Sequence, residues 1–340
     1  TEAEKNKAST TRKWGRRLAF LIPRLLVGLG LLYLFGLIIY DGPAVAFSLG
    51  NWLLAGAWLG LAIYSWIHFR QLRFLKRVGV LAGLAVLVLI PWSFISASND
   101  REWKPEFAQT GWVEQKSDVV TFHNYRDFIY HDDGSIEERW LTKTFRLSNL
   151  QGVDLFHDAF GGDLVAHPIL SFDFGEEGRV VLSIETRREK GESFSIFGGL
   201  YKMFELQYLF GSERDFVGVR TRIRKEPVFH YHLHSDPEIA RKLLLDSIQA
   251  QNELKSQPRF YNVITANCTT SLRAQSHQKK MPLDYRMLLN GRFDELLHEN
   301  GVIAPDENDF EEVRKNAYLN PRAEAADWST EEGFSEGIRN

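Results

Sequence analysis

The single cysteine of the chain lies in a sequence pattern typical of a nucleophile. Cys268 follows Asn267 at the start of a segment with helical spacing, inside the run YNVITANCTTSLR. Because Asn is a favoured helix N-cap, we expect Cys268 in the first turn of a helix. Free backbone N–H groups there favour a thiolate and can hold an oxyanion, with Asn267 or Thr269 in support. A lone cysteine is also often a small buried apolar residue, and its position alone leaves both interpretations open.

A thiolate nucleophile needs a base, and His167 is the best-placed histidine. It lies in the strand pattern LVAHPILSFDF, which the turn GEEG joins to the strand pattern RVVLSIET. If the apolar faces of both strands enter one core, the register puts His167 and Glu185 on the same face, about one residue pair apart. A carboxylate in that place orients an imidazole. The alternative is a half-exposed strand histidine beside a surface glutamate.

Two further patterns have ligand-binding and structural interpretations. Arg187, Arg188 and Arg222 belong to basic clusters that either bind lipid phosphates or lie on solvated strand faces. The run FHYHLH at 229–234 puts three histidines on one strand face, but no carboxylate or thiol is evidently paired with them. We therefore predict no metal and no cofactor.

Residues 18–97 are strongly apolar. Three segments are each close to the ~20 residues that cross a bilayer: about 18–40, 45–67 and 78–97. Basic residues precede the first segment and fill the loop between the second and third. The positive-inside rule then places the N-terminus in the cytoplasm and everything after residue 97 outside it, in the periplasm or on the cell exterior. We predict an integral protein of the bacterial cytoplasmic (inner) membrane with three transmembrane helices.

The remainder has the composition of a folded α+β domain with an antiparallel sheet and packed helices. Strand patterns include Phe216–Ile223, and helices are predicted for Pro237–Ser256, from Asn267 onward, and for Asp284–Asn300. A net charge of −3 argues against a nucleic-acid partner. The predicted organisation is a cytoplasmic N-terminus (1–17), a transmembrane region (18–97), a linker with the first strand (98–125), a catalytic domain (126–304) and a loosely attached polar tail (305–340).

Several of these motifs resemble one known family. The pattern AH-x5-F at 166–172, the run SIETRREKGE at 183–192 and YN-x4-NCTT at 261–270 are similar to the family named for the N-terminal periplasmic domain of Lnb, a bacterial lipoprotein N-acyltransferase. Looser matches extend the resemblance over about 98–325. The order of histidine before cysteine also resembles permuted papain-like (NlpC-related) enzymes. The resemblance implies a permuted papain-like fold with Cys268 as nucleophile and His167 as base.

The function expected from this resemblance is thiol acyl transfer at a membrane. Cys268 takes an acyl group from a phospholipid as a thioester and passes it to a lipoprotein amine or a similar envelope acceptor. Glu185 is predicted as the third catalytic residue on register grounds. Three alternatives stay open: a cysteine amidase or peptidase of the cell envelope, a lipid hydrolase, and a non-catalytic envelope scaffold.

Overall fold

The computed structural model describes residues 2–44, 46–131, 133–275 and 284–339, with the backbone alone for 2–18, 20 and 273–275. The chain divides into two compact units. The first comprises Thr1–Ser96 with Tyr201–Met203, and the second comprises Ala97–Leu200 with Phe204–Asn340.

The first unit consists of three long helices: α1 Glu2–Asp41, α2 Leu49–His68 and α3 Phe74–Ser93. Asn51 holds the turn between α1 and α2, because its side-chain amide donates to the carbonyls of Ile39 and Ala44. At the other end of α2, Arg77 donates to the carbonyl of Trp66, and its guanidinium lies over the Trp66 ring.

Two of these helices, rather than the three predicted, are long and apolar enough to cross a membrane within the described residues. They are Leu21–Asp41 and Phe74–Ser93. The helix α2 has 20 residues, but Asn51, its glycines and three tryptophans lower its hydropathy. The prediction of three transmembrane helices is therefore wrong by this criterion.

The second unit is built on an eight-stranded sheet, as an α+β domain requires. Its strands are β1 Trp112–Lys116, β2 Val119–Arg126, β5 Trp140–Arg146, β6 Gly152–Gly161, β7 Val165–Asp173, β8 Arg179–Arg187, β9 Glu205–Gly211 and β10 Val228–His232. The spatial order is β1-β2-β9-β8-β7-β6-β10, and β5 also pairs with β2. The short strands β3 Ile129–Tyr130 and β4 Ile136–Glu137 form a separate hairpin.

Both faces of the central strands are buried. In β7 and β8 the register pairs Ile169 with Ser183 and Leu170 with Leu182. Leu170 and Leu182 belong to the apolar face that the sequence predicts. On the opposite face, Ile169 and Val181 join a core with Phe216 and Phe334 from helices that cover the sheet. The polar residues of that face are therefore enclosed rather than solvated.

The helices of the second unit are short except for one. They are α4 Glu213–Gly218, α5 Pro237–Ser256, α6 Cys268–Gln275, α7 Phe293–Glu299, α8 Phe310–Ala317, α9 Asn320–Ala325 and α10 Glu331–Gly337. The helix α5 has the predicted bounds because Asp236 caps its N-terminus and its apolar residues keep helical spacing.

Two predicted elements differ from the structure. The segment Phe216–Ile223, predicted as a strand, forms the end of α4 and a π-helical turn, Val219–Ile223. Ser212 caps α4 by accepting from the backbone N–H of Asp215, so the helix begins before the alternating residues. The predicted helix 284–300 is divided into 3₁₀ turns followed by α7, because the Asn-Gly pair at 290–291 interrupts it.

The C-terminal residues pack into the core, and the prediction of a loosely attached tail is wrong. Leu319, Phe334 and Ile338 are fully buried within α9, α10 and their connections. Arg339 donates to the carboxylates of Glu213 and Asp154. The few apolar residues are spread over three short helices, so no helical period is visible in the sequence.

We predict that Phe334→Ala lowers the free energy of unfolding of the full chain by about 3–5 kcal/mol, since a buried aromatic is replaced by a cavity. Denaturant titration in detergent measures this change. Glu336→Ala, an exposed position of the same helix, is the matched control. Equal effects of the two substitutions would show that the C-terminal helices do not support the core.

Candidate active site

His167 lies on β7 beside two polar side chains of β8. Its Nε2 donates to Ser183 Oγ at 2.7 Å, and Ser183 Oγ donates to Glu185 Oε1 at 2.7 Å. Nε2 also lies 3.3 Å from Glu185 Oε1. The two side chains are each 13 % exposed, so the alternative of a half-exposed histidine beside a surface glutamate does not describe them.

An arginine from the π-helical turn pairs with the carboxylate of Glu185. Arg220 Nη2 donates to Glu185 Oε1 at 3.1 Å, and its Nε donates to Asp158 Oδ2 at 2.9 Å. Burial alone would raise the pKa of Glu185, but His167, Arg220 and Ser183 together hold it well below its usual value. Glu185 is therefore an ionised, fixed partner of the imidazole.

Cys268 is the first residue of α6. Asn267 caps this helix, since its Oδ1 accepts from the backbone N–H of Thr270 at 2.7 Å and its Nδ2 donates to the Val263 carbonyl at 2.7 Å. Both ends of the Asn267 amide are thus engaged in holding the start of the helix. Thr269 is fully buried, with its Oγ1 3.9 Å from the Cys268 sulfur.

A side chain that the sequence did not single out connects the strand of His167 to the helix of Cys268. Asn290 Oδ1 accepts from the backbone N–H of Ala166, next to His167, at 2.9 Å. Its Nδ2 donates to Thr269 Oγ1 at 3.1 Å and lies 3.6 Å from the sulfur of Cys268.

The turn that carries Asn290 packs tightly against the β6–β7 turn. A Cβ at position 291 would collide with the backbone of Gly162 and Asp163. Glycine at 291 therefore permits the close approach that places Asn290 between β7 and α6.

The groups around the His167 imidazole favour its protonated form. Burial would lower the pKa of His167, but the Glu185 carboxylate and the hydrogen bond with Cys268 raise it to about 9. His167 Nε2 is occupied by Ser183 and Glu185. A protonated imidazole at neutral pH is the partner that a thiolate requires.

These groups lie on the wall of a cavity of about 490 Å³. Cys268, His167, Glu185, Asn267 and Asn290 all contribute to it. The Cys268 side chain is therefore buried at the wall of an accessible space rather than in a closed core. Tyr261 also lines this cavity, and burial together with the nearby Cys268 and Glu185 raises the pKa of its hydroxyl.

The predicted phosphate-binding arginines have different environments. Arg187 is 1 % exposed and its guanidinium donates to Asn99, Thr110 and the carbonyls of Phe107 and Ala108. The phosphate role predicted for Arg187 is therefore wrong, because the strand face that carries it is enclosed.

Arg188 and Arg222 both line a second cavity of about 740 Å³. Arg188 also lines the Cys268 cavity, 3.9 Å from Glu106, while the Arg222 guanidinium lies over the Trp328 ring. Their role with lipid phosphates stays a prediction.

The histidines of β10 contact a carboxylate that the sequence did not reveal. His230 Nε2 and His232 Nδ1 lie 3.0 and 2.9 Å from the two oxygens of Asp154 on β6. Asp154 also accepts from Arg339, so this group forms a charged network across the sheet edge.

Sequence reasoning missed three members of the site: Ser183, Arg220 and Asn290. Ser183 shares the strand face of Glu185, so the register that selected Glu185 could also have selected it. Arg220 was placed on a strand that does not exist. Asn290 belongs to an Asn-Gly pair, which by itself indicates only a turn.

Comparison with family models gives one match. Residues 137–291 match the model of the Lnb N-terminal periplasmic domain. This segment belongs to that family. It contains His167, Glu185, Cys268 and Asn290, and therefore the whole side-chain cluster described above. Comparison with curated proteins and with solved structures gives no match, so the papain-like fold stays a prediction.

The family match and the apolar helices are consistent with each other. A periplasmic domain within a chain that carries two membrane-competent helices fits an envelope protein anchored in a membrane. The resemblance at the motifs around His167 and Cys268 is thus confirmed at the level of the family.

Because the chain has one cysteine, alkylation reports on Cys268 alone. We predict that His167→Gln slows its alkylation by iodoacetamide at neutral pH by about tenfold or more, since the positive partner that favours the thiolate is removed. Mass spectrometry of the full chain measures the rate. His298→Gln, a histidine outside the cavity, is the control, and equal rates in both variants would exclude a Cys–His pair.

Proposed function

We propose that the second unit is a cysteine-dependent acyltransferase that acts on lipid substrates in the periplasm, anchored to the cytoplasmic membrane. The observation that carries this proposal is that His167 and Cys268 line one open cavity, where Glu185 and Cys268 raise the pKa of His167 to about 9. The Ser183 and Glu185 side chains behind the imidazole complete a nucleophile–base–orienter arrangement.

In the first half-reaction, the Cys268 thiolate, whose proton is held by His167, attacks the ester carbonyl of a phospholipid. A carbon–sulfur bond forms as the ester carbon–oxygen bond breaks, and His167 returns the proton to the departing lysophospholipid oxygen. Backbone N–H groups at the start of α6 and the Asn290 amide donate to the oxyanion.

In the second half-reaction, an amine attacks the thioester. The carbon–nitrogen bond forms, the thiolate leaves, and His167 takes the amine proton. A lipoprotein α-amino group is the acceptor that the family name suggests. With water as acceptor the same site would be a lipid hydrolase, and with a peptide carbonyl as donor an amidase.

The direct test follows the acyl-enzyme. The full chain in phospholipid nanodiscs is analysed by intact-protein mass spectrometry, with and without an N-terminal lipoprotein peptide. We expect an acyl adduct on Cys268 that disappears when the peptide becomes acylated. Cys268→Ala and His167→Gln abolish the adduct, whereas the control His298→Gln retains it.

Other outcomes of that experiment select the alternatives. Release of free fatty acid without peptide acylation would identify a hydrolase, and a peptidyl adduct would identify an amidase. If the domain is a non-catalytic scaffold, no acyl adduct forms, and Cys268→Ala leaves the phenotype of cells unchanged.

The charge on Glu185 sets a pH limit that can be measured. The His167 pKa of about 9 means that the imidazole loses its proton, and kcat/KM for a short-chain ester falls, as the pH rises through about 9. This fall is the alkaline limb of the pH profile. Glu185→Gln removes the carboxylate, so the limb moves to lower pH, towards the ordinary imidazole pKa of 6.5. Glu312→Gln, an exposed control, keeps the limb in place. An unshifted limb in Glu185→Gln would remove Glu185 from the site.

A further inference from the structure

The mouth of the Cys268 cavity is bordered by exposed apolar side chains. Each of them lines the cavity and is 40–50 % exposed: Phe160, Phe194, Ile196, Leu288 and Leu289. We call these five residues the apolar rim. They come from three separate segments, the end of β6, the loop after β8 and the turn before α7, so the rim is a product of the fold.

Neighbouring residues enlarge the same surface. Leu164, Phe197 and Ile264 are each more than half exposed and are adjacent in sequence to Val165, Ile196 and Val263, which line the cavity. In the described part of the second unit, the other exposed leucine, isoleucine and phenylalanine side chains are Ile136 and Ile223. The apolar exposure of this unit is therefore concentrated at one cavity.

We propose that the apolar rim is a lipid-docking surface, which inserts among the acyl chains of a bilayer and opens the Cys268 cavity towards them. Exposed apolar area of this kind is costly in water and is retained where a partner covers it. The use of the docked lipid as acyl donor rests on the proposed function, but the docking itself does not.

A bilayer is the occupant that the chain itself supplies. Two of its helices are long and apolar enough to cross a membrane, and α3 ends at Ser93, just before the second unit begins at Ala97. So short a connection keeps the second unit close to the bilayer. The bilayer is therefore present at a high effective concentration, and a soluble partner would have to compete with it.

The single cysteine makes a spectroscopic test direct. In the Cys268→Ser background, Ile196→Cys and Leu289→Cys each carry one polarity-sensitive fluorophore, and Lys116→Cys on β1 is the exposed polar control. The full chain is placed in phosphatidylcholine nanodiscs with or without doxyl-labelled lipid, and then titrated with iodide.

We expect the doxyl lipid to quench both rim labels several-fold more than the Lys116 label, and iodide to give the reverse order. Leu289→Asp should reduce the doxyl quenching of the Ile196 label, since a carboxylate opposes insertion into hydrocarbon. Ile136→Asp, an exposed isoleucine outside the rim, should leave it unchanged.

Three results would overturn the docking surface. Rim labels that iodide reaches freely and doxyl lipid does not would show a water-exposed mouth. Equal doxyl quenching at Lys116 would show no preferred face, and shielding from both quenchers would show coverage by protein, such as a second copy. Because the thiol is absent throughout, none of these outcomes depends on acyl transfer.

Discussion

The buried carboxylate of Glu185 is the group on which the arrangement of the site depends. A desolvated carboxylate costs several kcal/mol unless charged or hydrogen-bonded partners surround it. Glu185 has three such partners: Ser183 from its own strand, His167 from the neighbouring strand and Arg220 from the π-helical turn. The strand pair, the turn and the imidazole are therefore held together by one ionised group.

Arg220 has opposing effects on this group. It holds Glu185 in the ionised state, and its positive charge at the same time lowers the pKa of His167, against the carboxylate that raises it. Its second contact, with Asp158, moderates that repulsion by neutralising part of the guanidinium charge. The resulting pKa of His167, about 9, keeps the imidazole protonated at neutral pH.

The parts of this structure that the sequence predicts well are those governed by local periodicity. The β7–β8 hairpin follows from its alternating apolar residues and its turn, and its register brings His167 to Glu185. The helix α5 follows from its cap and spacing, and the start of α6 follows from Asn267 before Cys268. Each depends on residues close together in sequence, so each is visible without knowledge of the fold.

The predictions that are wrong concern segments whose structure depends on contacts with residues distant in the sequence. The alternation around Arg220 and Arg222 is typical of a strand. Arg220 is nevertheless buried in a helical turn, where it donates to Asp158 on β6 and to Glu185 on β8, two strands separated by β7. The C-terminal helices bury single apolar residues in a core formed far upstream. Asn290 is a turn residue by its sequence, and it gains its place between His167 and Cys268 only when two turns pack together.

His167 and Cys268 are far apart in the sequence and lie on different elements, so a third group is needed to fix their spacing. The Asn290 amide does this by bonding β7 with its oxygen and α6 with its nitrogen. The cavity they share has charged groups near the sulfur and apolar side chains at its mouth. A polar peptide would leave the apolar rim uncovered. The proposed substrate, an acyl lipid, offers a long apolar chain to the rim and a polar carbonyl to the groups near the sulfur.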